Sequence, residues 1–169
     1  GGAGSSGAAT STSTIEESGG TTTMGSLWVE LLPVLGDLAG LSALEDAGTI
    51  TLDELPITSL AGLGALTGVG SLILGECVTE GAGGLDALES LAGLESLAAA
   101  GDLVLAGDDA LKSLEGAPLL KKVGVLTVVD SPLVSEEVVD ALLAQLEEAP
   151  WQLCHGAWAE CPCFGLMPW

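Results

Sequence analysis

The chain is 169 residues long, enough for one domain with a substantial core, and sets 24 Asp and Glu against three Lys and no Arg, for a formal charge of −21. That charge repels phosphate backbones and anionic membrane surfaces, and the missing Arg removes bidentate anion recognition, which excludes nucleic-acid binding. Apolar residues make up 48% but aromatic ones only 3%, so Leu, Val, Ile and Ala must build the core, a composition suited to thin stacked layers rather than a globular enzyme.

No run reaches the ~18 consecutive apolar residues needed to span a bilayer. With no initiator Met and no signal peptide, Gly1 reads as the start of a processed or trimmed chain. Residues 1–23 are nearly all Gly, Ala, Ser and Thr, with Ile15 the one large apolar residue, and read as a disordered tether. Residues 24–150 carry an internal repeat, and residues 151–169 form a Cys- and Trp-rich tail.

The repeat appears in LAGLSALEDAGTITL from Leu38, LAGLGALTGVGSLIL from Leu60, LAGLESLAAAGDLVL from Leu91 and LEGAPLLKKVGVLTV from Leu114. A partial copy, MGSLWV, opens the array at Met24. Its glycines fall at Gly25, Gly48, Gly70, Gly101 and Gly124, spaced by 23, 22, 31 and 23 residues, so one coil carries an insertion. Each G-x-L-x-L reads as a short strand, its preceding Gly supplying a turn conformation. The inward pairs are Leu27 and Val29, Ile50 and Leu52, Leu72 and Leu74, Leu103 and Leu105, and Leu126 and Val128. The upstream Leu run closes each coil, and stacking makes one continuous core. The predicted fold is therefore a repeat solenoid, a short parallel β-helix of about five coils.

Solenoid ends need caps. At the C-terminal end Ser135 reads as a helix N-cap, with Glu136 and Glu137 in the first turn. Val138, Val139, Leu142, Leu143 and Leu146 make the apolar face of that helix, and Pro150 ends it. Trp28 and the stretch from Leu31 to Leu35 are candidates for the other cap.

The motif L-x-G-L-x-x-L-x-x-V-G-x-L-x-L resembles the receptor L-domain repeat, the right-handed parallel β-helix of growth-factor and insulin receptor ectodomains. It is more similar still to the bacterial surface-protein and lipoprotein versions, in which a Gly/Ser/Thr-rich tether precedes the coils and a cysteine-bearing segment follows them. The resemblance implies a bacterial cell-surface or extracellular location and a binding role of unspecified ligand. An ordinary leucine-rich repeat would instead place Asn or Cys after the strand, where this chain has Leu55, Val78, Asp108 and Ser131, and no Asn occurs at all.

Cys77, Cys154, Cys161 and Cys163 are the disulfide candidates, read as a staple of the C-terminal cap, and their three possible pairings stay open. Zinc held by Cys154, His155, Cys161 and Cys163 is the sharper alternative, but the adjacent Cys-His and the C-x-C spacing fit it poorly. No C-x-x-C suggests a redox pair. His155 is the one histidine, so any nucleophile–His arrangement would have to use it, and it reads as an ordinary surface or packed residue. Asp102, Asp108 and Asp109 lie around one coil and Glu76, Glu80 and Asp86 flank the insertion, yet no calcium-loop spacing accompanies them. Lys121 and Lys122 read as partners of nearby carboxylates, and the tail tryptophans as end seals or, if exposed, as anchors for a partner.

No catalytic, cofactor or metal residue is therefore assigned. The expected function is a non-enzymatic binding or adhesion module for a protein or surface glycan. Its contact loop is the insertion Gly75 to Ser90, with Glu76, Thr79, Glu80 and Asp86 as contacts. The alternative is a structural spacer of the envelope with no ligand. Membrane contact is expected only through an upstream lipid anchor, and the chain is expected to be a monomer.

Overall fold

A computed structural model describes residues 15–18, 21–30, 38–75 and 84–156, the first two stretches as backbone only. One sheet holds seven strands in chain order. They are β1 (Ile15–Ser18), β2 (Thr21–Glu30), β3 (Asp46–Asp53), β4 (Gly68–Gly75), β5 (Ala99–Ala106), β6 (Lys122–Val129) and β7 (Gln152–Gly156). β1 runs antiparallel to β2, and every later neighbour pairs in parallel. One α-helix, α1 (Glu136–Gln145), lies between β6 and β7.

The register follows the repeat. Ile50, Leu72, Leu103 and Leu126 stand side by side across four strands, as do Leu52, Leu74, Leu105 and Val128. All eight are buried in one core, which is where the sequence pattern puts them. Between strands, Leu85, Leu88, Leu91, Leu94 and Leu97 recur every third residue and are fully buried. Leu55, Ile57, Leu60, Leu63 and Leu66 serve the preceding connection in the same way. Each fully buried Leu contributes about 1.5–3 kcal/mol relative to exposure.

Backbone hydrogen bonds join successive connections at two places. Thr67 N donates to Glu45 O, Ala98 N to Thr67 O, Lys121 N to Ala98 O and Glu147 N to Lys121 O, at 2.8, 2.9, 2.9 and 2.9 Å. In the opposite sense, Leu60 N donates to Ala92 O and Leu91 N to Glu115 O, at 2.8 and 2.9 Å. The connecting segments thus satisfy polar backbone by pairing with their neighbours rather than by forming helices of their own.

The repeat glycines have a different reason from the expected turn. Each strand starts two residues earlier than G-x-L-x-L, so Gly48, Gly70, Gly101 and Gly124 lie inside strands, and none of the four adopts a positive φ. They answer to close approach. A Cβ on Gly70 would run into Gly48 O, one on Gly101 would sit 2.5 Å from Gly70 O, and one on Gly124 would sit 2.8 Å from Gly101 O. The ladder leaves room for a hydrogen there and nothing larger.

Part of the predicted tether is strand. Ile15–Ser18 and Thr21–Glu30 are strands, and Thr23 pairs with Asp46. Thr is β-branched and favours extended backbone once a partner strand is available, which composition alone does not reveal. Leu27 and Val29 stand opposite Ile50 and Leu52, as the repeat requires, and Trp28 lies in the same strand. The stretch Leu31 to Leu35 lies outside the described residues.

At the other end Ser135 accepts a hydrogen bond from Val138 N at 3.4 Å and caps α1, with Glu136 and Glu137 in the first turn. Val139 and Leu142 are buried, and Val138, Leu143 and Leu146 pack against the core. The helix ends at Gln145 rather than at Pro150. Leu146 is already extended, because Glu147 N leaves to join the backbone ladder at Lys121 O. Lys121 also departs from expectation: its Nζ donates to Gln145 O at 3.3 Å, a helix-terminal carbonyl rather than a carboxylate. Gln145 Nε2 in turn donates to Ala117 O and Leu120 O, at 2.6 and 3.1 Å, which fastens the helix end to the preceding connection.

The assigned tail begins with more structure than its composition suggested. Gln152–Gly156 pairs in parallel with β6, and Trp151 N donates to Gly124 O at 2.9 Å. Trp151 therefore stands beside Gly124 at the repeat's glycine position, directly before β7.

Candidate functional site

At the C-terminal ends of the strands the repeats stop being alike. Among the described residues four polar side chains are buried: Asp53, Asp108, Thr127 and Ser131. Asp108 is the most enclosed. Its Oδ1 accepts Leu85 N at 2.8 Å from the preceding coil, and its own N–H donates to Ser131 Oγ at 3.3 Å in the next. Ser131 Oγ passes its hydrogen on to Val129 O at 3.2 Å. Asp108 Oδ2 has no hydrogen-bond partner. Burial pushes this carboxyl well above the usual carboxylate range; the Leu85 N–H opposes the shift, while the charges of Asp53, Asp86 and Asp109 add to it.

The turns out of β3, β5 and β6 each use a left-handed residue. Glu54, Gly107 and Asp130, each directly after its strand, have φ of 49°, 74° and 47°. Beside this turn a shallow hollow of about 480 Å³ is lined by Asp109, Asp130, Ser131, Pro132, Val134, His155 and Gly156. Ser131, His155 and an acid thus meet in one place, but not as a catalytic triad. His155 Nε2 donates to Val134 O at 2.8 Å and Ser131 Oγ donates to Val129 O, so neither is aimed at the other. A second groove of about 290 Å³ runs between α1 and the preceding coil, lined by residues that include Ser113, Glu115, Glu137 and Gln145.

The residues singled out from sequence disperse. Asp102 Oδ2 accepts a hydrogen bond from Ser71 Oγ at 2.9 Å on the sheet face, away from the buried Asp108, so the three calcium candidates of that coil do not converge. Among the described residues no group of three His, Cys, Asp or Glu is arranged to hold a metal ion. Cys154 is disulfide-bonded, which removes it from the zinc set; Cys77, Cys161 and Cys163 lie outside the described residues. Cys154 also packs against a small second cluster of Val104, Ala106 and Val129.

Of the contact-loop residues, Glu76, Thr79 and Glu80 lie outside the described residues, and Asp86 is exposed. The loop is narrower than Gly75 to Ser90. At Gly84 the chain is back in the stack, since a Cβ there would run into Gly107 O, and Leu85 and Leu88 are core residues.

Two features were not legible in the sequence. Asp108 and Ser131 sit where a leucine-rich repeat would place Asn, and that position was the one available signal for a buried polar step. The second is the edge strand β7: Trp151 is 77% exposed and Leu153 45% exposed. One edge of the Trp151 indole covers Gly124, with Nε1 3.2 Å from where a Cβ would stand. The described helix is too short to cross a membrane. No family model matches the chain, and no curated protein or solved structure matches it either.

Proposed function

We propose that the chain is a short L-domain-like solenoid, a parallel β-helix, that acts as a non-enzymatic binding or adhesion module at a bacterial cell surface. The observation that carries this reading is the order of the sheet. Strands β2 to β7 follow one another in parallel, each one repeat beyond the last. Such a stack offers elongated faces rather than an enclosed pocket, and variation collects in the turns and insertions. The Cys154 disulfide supports an oxidising compartment. The exposed Trp151 on the edge strand supports protein or glycan contact, as an aromatic anchor with little conformational freedom to lose.

The test compares the full chain with a variant lacking residues 78–83, which trims the insertion and keeps Cys77, a disulfide candidate. Both are applied to a glycan array and to immobilised extracellular proteins. Saturable binding by the full chain, weakened about tenfold or more by the deletion while the melting temperature holds, is the expected result. Absence of saturable binding on every surface would favour the spacer role instead.

A further inference from the structure

We propose that the Asp108 carboxyl is a proton-operated clasp: protonated, it joins the coils carrying Leu85, Asp108 and Ser131, and its ionisation loosens this end of the stack.

Asp108 has no exposed surface, and its side chain reaches back one coil to Leu85 N while its backbone reaches forward one coil to Ser131 Oγ. One residue thus fastens three successive turns. Oδ1 is matched by a donor, but Oδ2 is buried and unmatched. A buried carboxylate with one bare oxygen is costly, whereas a carboxylic acid places its proton on that oxygen and carries no charge.

The surroundings press the same way. Asp53 at the end of β3, Asp86 in the coil before β5 and the adjacent Asp109 all oppose a negative charge on Asp108. On the C-terminal side, Asp130 and His155 line the neighbouring hollow with Ser131. His155 Nε2 is directed to Val134 O, and Lys112 pairs with Glu89 at 2.8 Å, so neither supplies a counter-charge to Asp108.

The direction of the effect follows by linkage. A carboxyl held above its unfolded pKa stays protonated in the folded state where the unfolded chain has already ionised. Its stabilising contribution is complete below about pH 4, the ordinary Asp value, and is lost as pH rises through the folded value. In that window the folded-to-unfolded ratio falls about tenfold per pH unit through this one group.

The experiment measures urea unfolding of wild type, Asp108→Asn and Asp109→Asn from pH 4 to pH 8. Asn at 108 keeps an oxygen for Leu85 N and cannot ionise. Asp109→Asn, at an exposed position, controls for the relief of general acidity in so negative a chain. Asp108→Asn is expected to match wild type within about threefold in the folded-to-unfolded ratio near pH 4. Toward pH 8 it should gain on wild type by more than tenfold over the gain seen for Asp109→Asn. Parallel profiles for wild type and Asp108→Asn would overturn the proposal. Should that variant fail to fold, the 13C resonance of the Asp108 carboxyl in wild type decides. Titration above the exposed aspartates supports the clasp, and titration among them refutes it.

Discussion

The two ends of each strand obey different rules. Where the strands begin, Gly48, Gly70, Gly101 and Gly124 are stacked so closely that each later one faces the carbonyl of the one before. Where the strands end, the equivalent residue is Glu54 in one coil, Gly107 in another and Asp130 in a third, all left-handed. In β4, β5 and β6 the first end is set by contact between backbones and leaves room only for glycine. The second is set by a local turn that several residues can adopt at different cost, and there the buried Asp108 and the insertion make one coil unlike the next. The stack is specified at one end of its strands and individualised at the other.

The largest loss of stability is expected at the glycine end. Gly101→Val places a branched side chain against Gly70 O and is expected to cost about 3 kcal/mol or more, read as a lower urea midpoint in chemical denaturation. If Gly101→Val were as stable as wild type, the close stacking would not hold. At the other end the opposite sign is expected. Glu54→Gly relieves a left-handed Glu and should raise stability by up to about 1 kcal/mol, because the strain removed exceeds the backbone entropy added. The melting temperature checks this, and a decrease would mean that Glu54 makes a contact worth more than its strain. The smallest effect belongs to Lys112→Ala, which removes an exposed ion pair between successive connections. Lys112 holds the Glu89 carboxyl below its ordinary range, so Glu89 in the variant should titrate higher while the melting temperature stays within error.

The middle of the molecule was legible because repetition makes each coil evidence for the others. The inward pairs from Ile50 to Val128 and the cap at Ser135 follow from spacing and helix chemistry alone. The ends were harder to read because terminal coils lack that support. Trp151 stands at the glycine position and His155 stands opposite Val128, so the motif disappears from the text of β7 while its backbone pairing persists. β1 was hidden in the same way, its Ile-Glu-Glu-Ser pairing with a Thr-rich partner that composition assigned to a tether. Asp108 carried a mixed signal. Its neighbour Asp109 makes it look like one of a solvated pair, and only the fold shows that the first is enclosed and the second exposed. Lys121 was assigned a carboxylate by charge, but the nearer acceptor was the helix-end carbonyl of Gln145.

The strands of the repeat lie side by side in chain order, one strand per repeat. Thr49, Ser71, Asp102, Val125 and Gln152 form one column across β3 to β7. Spin labels introduced as unnatural amino acids at positions 49 and 152 should report a single narrow distance near 19 Å, four strand spacings of about 4.8 Å, broadened by the label arms. A distance beyond roughly 35 Å, or a broad distribution, would contradict the stack, since no sequential parallel arrangement of five adjacent strands separates its first and last by that much.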